Sequence, residues 1–399
     1  MRAWVALAAL ALAPSWSCGE SPTSGDSGDV DQRQSALRVP YNYPPAAAIS
    51  VRHPSGVTKL WVFACDSQNR LRVIKRHLTW GSWQTLDTGC LGVPTVGKWS
   101  NGASDMLLLY VTRSDGHLWE LWYPNPDGTG SWGNVSSSLG YGNIVGSPAI
   151  ADSDGTGRVS VAARVGAELH TFDWYSGAWH ARPVLWGAAP VRSSSYMNSN
   201  YETSVPYLSG RANLPDGSAD VGWVATRSSW TTNFTVVPAG ALDTVGVPGL
   251  GGGLGSSPTK WDPSVRVVQV RGGWLFHSDP TSSSWEDASL YGCAGPHGFT
   301  TNRRNPAAGA TNHLYGSQGG NLLSVEANPG GYGDCGFYAE SGTVASGVAP
   351  TIDGQTSIWP ATSYGAFVFY TGDDGTLQAF NTSTTVLQGL ALSPLLQSD

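Results

Sequence analysis

Arginine recurs at the end of a short β-type segment in four consecutive stretches of this chain, and tryptophan follows shortly after each one. The arginines are Arg113, Arg164, Arg227 and Arg271. The tryptophans are Trp119, Trp122, Trp174, Trp230 and Trp274. A guanidinium group presents a planar fork of N–H donors, and an indole presents a flat apolar face. The combination suits a ligand that has hydroxyl groups on one side and C–H bonds on the other.

A sugar ring is such a ligand, so the pattern predicts that these nine residues contact carbohydrate. Repeating a weak site also raises the overall affinity through multivalency. Packing is the competing interpretation. The chain contains 18 tryptophans, most of which must pack in the core or between repeats. An arginine at the end of a strand can form an ion pair with a neighbouring turn.

The segments that position these residues recur at intervals of roughly 50 residues, a period typical of propeller blades. Apolar residues alternate in runs that turn residues interrupt, which predicts short antiparallel strands. Each repeat is predicted to open at a proline: Pro45, Pro94, Pro148, Pro206, Pro258, Pro306 and Pro350. The second strand is predicted at residues 60–65, 107–113, 159–164, 221–227, 265–271, 313–318 and 366–371.

The remaining strands of the repeat follow the same order. The third strand is predicted to begin at Leu71, Leu118, Leu169, Ser229, Trp274, Leu322 and Leu377. The fourth is predicted to begin at Trp83, Trp132, Trp179 and Trp285, with weaker counterparts elsewhere. No amphipathic helix interrupts these runs. The sequence therefore predicts an all-β fold, a seven-bladed β-propeller of four-stranded antiparallel blades over residues 37–399, without deciding how the ring closes.

The repeat resembles that of the bacterial PLL-type seven-bladed propeller lectins and, more distantly, the Aleuria-type fucose-binding lectins. The resemblance is clearest over residues 92–189, where VTRSDGHLWELWY precedes Trp132 and VAARVGAELHTFDWY precedes Trp179. It implies that sugars, fucose among them, bind in pockets between adjacent blades, and that the nine residues above line those pockets. Three repeats carry Cys65, Gln318 and Thr371 in place of the arginine, so only some pockets are expected to bind.

The N-terminus is predicted to direct export. Residues 1–17 are typical of a signal peptide, with an apolar run at 4–13. The position of Cys18 resembles a bacterial lipoprotein signal, in which the cysteine is lipidated and the protein is anchored to the outer membrane or cell surface. Residues 15–16 do not fit that signal, so ordinary secretion stays open. Residues 18–36 are small and polar, as expected of a flexible tether.

The other four cysteines are consistent with an exported chain. Cys65, Cys90, Cys293 and Cys335 can form two disulfides in three pairings. We favour Cys65 with Cys90 and Cys293 with Cys335, because each pair lies within one repeat or between neighbouring repeats. Four free buried thiols are the alternative.

Composition and motifs argue against several other classes. A net charge of −7 and a pI of about 5.6 disfavour nucleic-acid binding. The eight histidines lack ligand spacing, and the acidic run at 152–157 lacks the distal glutamate of a calcium loop, so no metal or other cofactor is expected. Two alternatives to a lectin stay open: a scaffold that binds another envelope protein, and a glycosidase. The candidate carboxylates for hydrolysis are Glu120, Glu168, Asp173, Glu286 and Asp287. The oligomeric state is left open.

Overall fold

Within the described residues, strands account for nearly all of the regular structure, as the alternating pattern predicts. The computed structural model describes residues 45–100, 103–153, 157–191, 194–200, 207–213, 220–237, 244–252, 265–271, 274–278, 286–287, 297–301, 312–318, 321–327, 338–343, 351–352, 367–372, 375–381 and 386–392. They belong to one compact unit, Pro40–Asp399. Within these ranges, the structure contains no helix with the length and apolarity that a bilayer span requires.

The first three sheets each consist of four consecutive antiparallel strands. Sheet 1 contains β1 (Ala47–Arg52), β2 (Thr58–Cys65), β3 (Arg70–Arg76) and β4 (Gln84–Thr88). Sheet 2 contains β5 (Cys90–Ser100), β6 (Asp105–Arg113), β7 (Leu118–Tyr123) and β8 (Ser131–Asn134), followed by a short 3₁₀ helix at Ser137–Leu139. Sheet 3 contains β9 (Ile144–Ser153), β10 (Arg158–Val165), β11 (Glu168–Tyr175) and β12 (Ala178–Pro183).

Sheet 4 carries two extra short strands, and sheets 5 to 7 return to four. Sheet 4 contains β13 (Leu185–Trp186), β14 (Ala189–Pro190), β15 (Ser194–Asn200), β16 (Tyr207–Asn213), β17 (Asp220–Thr226) and β18 (Thr235–Val237). Sheet 5 contains β19 (Thr244–Gly252), β20 (Val265–Arg271), β21 (Trp274–Ser278) and β22 (Glu286–Asp287). Sheet 6 contains β23 (His297–Thr301), β24 (Asn312–Gln318), β25 (Asn321–Ala327) and β26 (Tyr338–Thr343). Sheet 7 contains β27 (Thr351–Ile352), β28 (Phe367–Thr371), β29 (Leu377–Asn381) and β30 (Val386–Gly389).

Adjacent sheets pack face to face because alternate side chains of each strand point to opposite neighbours. Leu107 and Leu109 of β6 pack with Trp61 of sheet 1. Leu108 and Tyr110 of the same strand pack in a second cluster with sheet 3. Burial of one such aliphatic or aromatic side chain contributes about 1.5–3 kcal/mol. The alternation predicted from sequence therefore stabilises two interfaces at once.

The series of sheets returns to its beginning. The first strands contact one another in chain order, and β27 contacts β1. Val62 of sheet 1 packs with Phe367 and Phe369 of sheet 7. The Trp80 indole also donates a hydrogen bond of 2.6 Å to Gln388. Each sheet in the described part of the chain uses strands of its own repeat, so side-chain packing joins the last sheet to the first. The fold is all-β and propeller-like, with four-stranded antiparallel sheets.

The prediction for the fourth repeat is wrong. Residues 221–227, predicted as a second strand, form the third strand β17, and Ser229 lies in a turn rather than in a third strand. Pro206 precedes the second strand β16, and Pro258 and Pro306 also come after the first strands β19 and β23 in the chain. The first strand of the repeat, β15, has the sequence SSYMNSN and lacks apolar alternation. The apolar pattern of β17 was therefore assigned to the second strand instead of the third.

The Cys65–Cys90 disulfide is confirmed. It joins the end of β2 to the start of β5 and so ties sheet 1 to sheet 2, with Cα atoms 5.8 Å apart. The predicted Cys293–Cys335 pair lies outside the described residues, as do Cys18 and the predicted signal peptide and tether.

Candidate functional site

Arg113 is the last residue of β6, and its guanidinium group reaches sheet 1. Because alternate residues of a strand point to the same face, Arg113 points to the same side of β6 as Val111, which packs toward sheet 1. Its Nη2 atom lies 3.0 Å from Oδ2 of Asp87 and donates to Oδ1 at 3.3 Å and to the Thr88 carbonyl at 3.5 Å. The side chains of Arg113 and Asp87 are 23% and 21% exposed, so this inter-sheet pair meets solvent.

Two glycines bring the strand ends together. Gly89, at the crossing between the sheets, has a φ of +82°, and a Cβ atom there would lie 2.7 Å from Ser114 Oγ. The amide of Ser114 donates to the Gly89 carbonyl at 2.7 Å. Gly116, with a φ of +77°, closes the turn after β6 by donating to the Arg113 carbonyl. The backbone therefore fixes the end of β4 beside the end of β6.

Indole rings lie under the guanidinium group. The Arg113 Cζ atom is 4.6 Å from the ring centroid of Trp119 and 5.6 Å from that of Trp132. The two rings meet edge to face at 77°, and Trp119 Nε1 donates to Asp115 at 2.9 Å. Cation–π attraction and these hydrogen bonds hold the group in one orientation. We name Asp87, Arg113, Trp119 and Trp132 the Arg113 cluster.

The Arg113 cluster retains unused donors. The hydrogen bonds and ion pair of Arg113 with the described residues all involve Nη2. Nε and Nη1 can therefore donate to a ligand, and the Asp87 carboxylate can accept from one. A donor fork, an acceptor and two partly buried indoles at one edge are suited to a pair of neighbouring hydroxyl groups.

Arg164 does not occupy the position equivalent to Arg113. Leu118 and Leu169 are corresponding positions, the predicted starts of the third strands in sheets 2 and 3. Thr112 pairs with Leu118 and Arg164 pairs with Leu169, so the residue of sheet 2 that corresponds to Arg164 is Thr112. Alternation gives Arg164 the orientation of Ala162, which packs toward sheet 4. Its Nε atom is buried and has no hydrogen-bond partner in the described part of the chain. The shift of one residue arises because two residues separate β10 from β11 and four separate β6 from β7.

Arg227 and Trp230 lie in a packed interior rather than at an exposed edge. The side chains of Arg227 and Asp173 are each 0% exposed, and Nη1 lies 3.0 Å from Oδ2 of Asp173. The guanidinium carbon is 4.4 Å from the ring centroid of Trp230 and 4.5 Å from that of Phe234. Burial lowers the pKa of Arg227 despite the opposing effect of Asp173. In this arrangement the pair joins sheets 3 and 4, and its side chains have no surface in contact with solvent.

The buried carboxylate has further partners. Ser160 Oγ donates to Asp173 at 2.6 Å, and Arg182 Nε lies 3.6 Å from the same carboxylate. Arg182 also donates to the Thr231 carbonyl at 2.5 Å. We name Asp173, Arg182, Arg227, Trp230 and Phe234 the Arg227 cluster. Its contacts are typical of a structural ion pair between sheets.

The other predicted residues are dispersed. Trp174 is partly buried between sheets 2 and 3 and packs edge to face on Trp179. Trp122 is on the face of β7 opposite to Trp119 and is 41% exposed. Arg271 and Trp274 pair directly across the β20–β21 turn. Of the nine predicted residues, the structure unites Arg113 with Trp119 and Arg227 with Trp230, and the ligand-binding roles stay predictions.

Two more cations at the margins of sheet 1 cover aromatic rings. Lys75 Nζ lies 3.4 Å from the centroid of the buried Trp61, and Arg76 Cζ lies 4.7 Å from that of Phe367. Burial, followed by the charge of Lys59, lowers the pKa of Lys75 to about 8, against a smaller opposing effect of Asp127.

Sequence reasoning missed Asp87 and the role of Trp132. Asp87 belongs to the preceding repeat, so aligning repeats one by one could not pair it with Arg113. The signal was its place just before Gly89-Cys90, at the junction of two repeats. In the described part of the chain no group of three or more His, Cys, Asp or Glu side chains could hold a metal ion. The candidate hydrolytic residues Glu120 and Asp173 face different sheets, so they do not share one cleft.

No protein-family model matches the chain, and no curated protein matches it significantly. Similar solved structures include AofleA from Arthrobotrys oligospora, with 13% identity over 71% of this chain and 83% of that one and a TM-score of 0.46. A six-bladed, fucose-recognising lectin of Aleuria aurantia has 16% identity over 72% and 93%, with a TM-score of 0.41. The Dos1 propeller has 11% identity over 89% and 86%, with a TM-score of 0.47. Similarity at this level transfers no ligand to this chain, and the resemblance to PLL-type lectins stays a prediction.

Proposed function

We propose that this chain is an exported carbohydrate-binding protein and that the Arg113 cluster is one of its glycan sites. One observation carries the proposal: a partly exposed guanidinium group is fixed over two indoles, while two of its three nitrogens have no partner among the described residues. A sugar would accept hydrogen bonds from Nε and Nη1 of Arg113, donate to Asp87, and place C–H groups on the accessible indole edge. Fucose is one candidate sugar.

We propose further that the seven sheets are seven blades of a closed ring. The contact between β27 and β1 and the packing of sheet 7 on sheet 1 support this count. The clefts differ in their side chains, so the sites need not be equivalent. Only the cleft between sheets 1 and 2 carries the Arg113 arrangement among the described residues.

Export is supported by the disulfide between Cys65 and Cys90, because such bonds persist in oxidising compartments. We propose a signal peptide at residues 1–17 and a tether at 18–36. Lipidation of Cys18 would place the protein at the outer membrane or cell surface, and secretion is the alternative. Mass determination of the exported form distinguishes the two, since a lipid adds mass to the N-terminal cysteine.

A glycan array tests the function directly. The full chain is expected to bind a defined set of glycans without cleaving them, at the millimolar to micromolar affinity typical of a small site. Arg113→Ala should abolish the response of this site. Arg164→Ala is the matched control, because the same residue type lies at the corresponding strand end but faces sheet 4. Uniformly flat responses would favour a scaffold that binds an envelope protein, and release of sugar from a chromogenic glycoside would favour a glycosidase.

A further inference from the structure

We propose that the space between sheets 2 and 3 binds a protonated amine, with Glu120 as its counter-ion and aromatic rings as its walls. The residues are Tyr110, Glu120, Trp122, Trp174 and Trp179, which we name the tryptophan cleft. This site lies on the opposite face of sheet 2 from the Arg113 cluster, and the inference does not depend on the sugar proposal.

Aromatic rings from both sheets meet in the tryptophan cleft. Tyr110 of β6 and Trp179 of β12 are 6.0 Å apart between centroids and nearly perpendicular. Trp174 and Trp179 are 5.5 Å apart at 60°. Trp122 follows Glu120 by two residues on β7, so both side chains point to the same face of the strand. Trp122 is 41% exposed, so it meets solvent on that face.

Glu120 places a carboxyl group beside Tyr110, on the face of β7 that points toward sheet 3. Its Oε1 accepts a hydrogen bond of 2.6 Å from the Tyr110 hydroxyl. Its Oε2 has no partner among the described residues. The residue opposite on β8 is Gly133, where an added Cβ atom would lie 4.0 Å from that oxygen, so no side chain covers it from this strand. Burial raises the pKa of Glu120 more than the Tyr110 hydroxyl lowers it, as expected of a carboxyl group without a nearby cation.

The Lys and Arg side chains of sheets 2 and 3 lie on the faces that point away from the space between these two sheets. The sheets contain five Lys or Arg residues: Lys98, Arg113, Arg158, Arg164 and Arg182. Lys98 pairs with Asp105 and Ser50 toward sheet 1, as Arg113 does with Asp87. Arg158 and Arg182 contact Trp230 and Thr231 of sheet 4, and alternation directs Arg164 the same way.

Within the described ranges, the carboxylates of Glu120 and Glu168 have no Lys or Arg partner. Glu168 lies on the same face of β11 as Phe172, which packs with sheet 2. Its one ion pair within the described residues is with His170, at 3.5 Å. Burial lowers the pKa of His170, which favours its neutral form. Every Lys and Arg side chain of these two sheets therefore points away from the space that Glu120 and Glu168 face.

Comparison with the other aromatic groups shows what this space lacks. Trp119 has the Arg113 guanidinium over it, Trp230 has Arg227, Phe367 has Arg76 and Trp61 has Lys75. Among the described residues, no cation lies over Trp174 or Trp179. An ammonium group from a ligand would supply the missing charge, donating to Glu120 Oε2 while its carbons contact the rings.

Titration of the full chain with n-propylammonium chloride tests this inference. The neutral n-propanol has nearly the same shape and is the control ligand. We expect saturable tryptophan-fluorescence and calorimetric changes for the ammonium and none for the alcohol. Glu120→Gln keeps the shape and the Tyr110 contact but removes the charge, and should weaken binding at least about tenfold. Trp122→Leu, at an exposed position, should weaken it about threefold.

Glu168→Gln is the matched control, since it removes an equal charge from a more exposed carboxylate on the facing sheet. It should change the affinity less than twofold. Equal losses in the two variants would attribute binding to the general negative field and overturn the role of Glu120. Equal binding of propanol, or no saturable binding of the ammonium to the wild-type chain, would overturn the site itself.

Discussion

The Arg113 cluster and the Arg227 cluster each place an arginine over aromatic rings at a boundary between two sheets, yet they differ in burial. Each has an arginine over two aromatic rings, paired at 3.0 Å with an aspartate of the preceding sheet. Arg113 is 23% exposed, whereas Arg227 is 0% exposed. The Arg113 guanidinium group meets solvent, whereas the Arg227 guanidinium group is enclosed between two sheets. An arginine–tryptophan pattern thus predicts an interface, and exposure decides whether that interface is free to bind.

Removing the buried guanidinium should have the largest effect. Arg227→Leu leaves Asp173 buried without its main counter-ion, so we expect a loss of about 3–5 kcal/mol in the free energy of unfolding. Denaturant titration with fluorescence detection measures it. The double variant Arg227→Leu/Asp173→Leu should be more stable than the single one, because no unpaired charge remains. A loss below about 1 kcal/mol in the single variant would show that Arg227 is solvated like a surface arginine.

Removal of the Cys65–Cys90 disulfide should have the next largest effect on the free energy of unfolding. It should also affect ligand binding at the Arg113 cluster. Cys65→Ala/Cys90→Ala removes a cross-link between residues 25 positions apart, which we expect to cost about 3 kcal/mol. Glycan binding at Arg113 should weaken as well, because Cys90 pairs directly with Arg113 across β5 and β6. Unchanged unfolding in the presence and absence of reductant would contradict the first expectation.

Substitution of the exposed arginine should separate binding from stability. Arg113→Ala should cost less than about 1 kcal/mol in stability, since the Asp87 pair is partly solvated. It should reduce glycan affinity at least about tenfold, the loss expected when hydrogen bonds from a charged group are removed. Arg113→Lys should not restore affinity, because an ammonium lacks the planar fork. Restoration by lysine would mean that charge alone matters.

Lys75 extends the comparison to a cation that lies over an indole and has no direct carboxylate contact in the part of the chain that the structure describes. Its folded pKa of about 8 lies below the ordinary 10.5, so the folded state favours the neutral amine. The stability contributed by this group is present above the unfolded pKa and is lost as pH falls through about 8. Lys75→Met should therefore stabilise the protein more at pH 7 than above pH 10. Amine labelling followed by mass spectrometry should show Lys75 reacting half-maximally near pH 8 when folded and at higher pH in denaturant.

Sequence alternation was sufficient to predict most strands, because β2, β6, β10 and β28 each have apolar residues that pack in the clusters described. It failed in the fourth repeat, where β15 and β16 are rich in small polar residues. It also treated Arg164 as equivalent to Arg113, although a shorter turn shifts the register by one residue. Asp87 could not be found within a single repeat, since its partnership with Arg113 exists only once two sheets pack together.

Calorimetric titration of the best array glycan into the wild-type chain, Arg113→Ala and Arg164→Ala tests the central claim most directly. The account predicts measurable binding to the wild type and to Arg164→Ala, with at least about a tenfold loss in Arg113→Ala at unchanged stability. Equal affinity of all three proteins would contradict it, because the exposed guanidinium over Trp119 would then take no part in recognition.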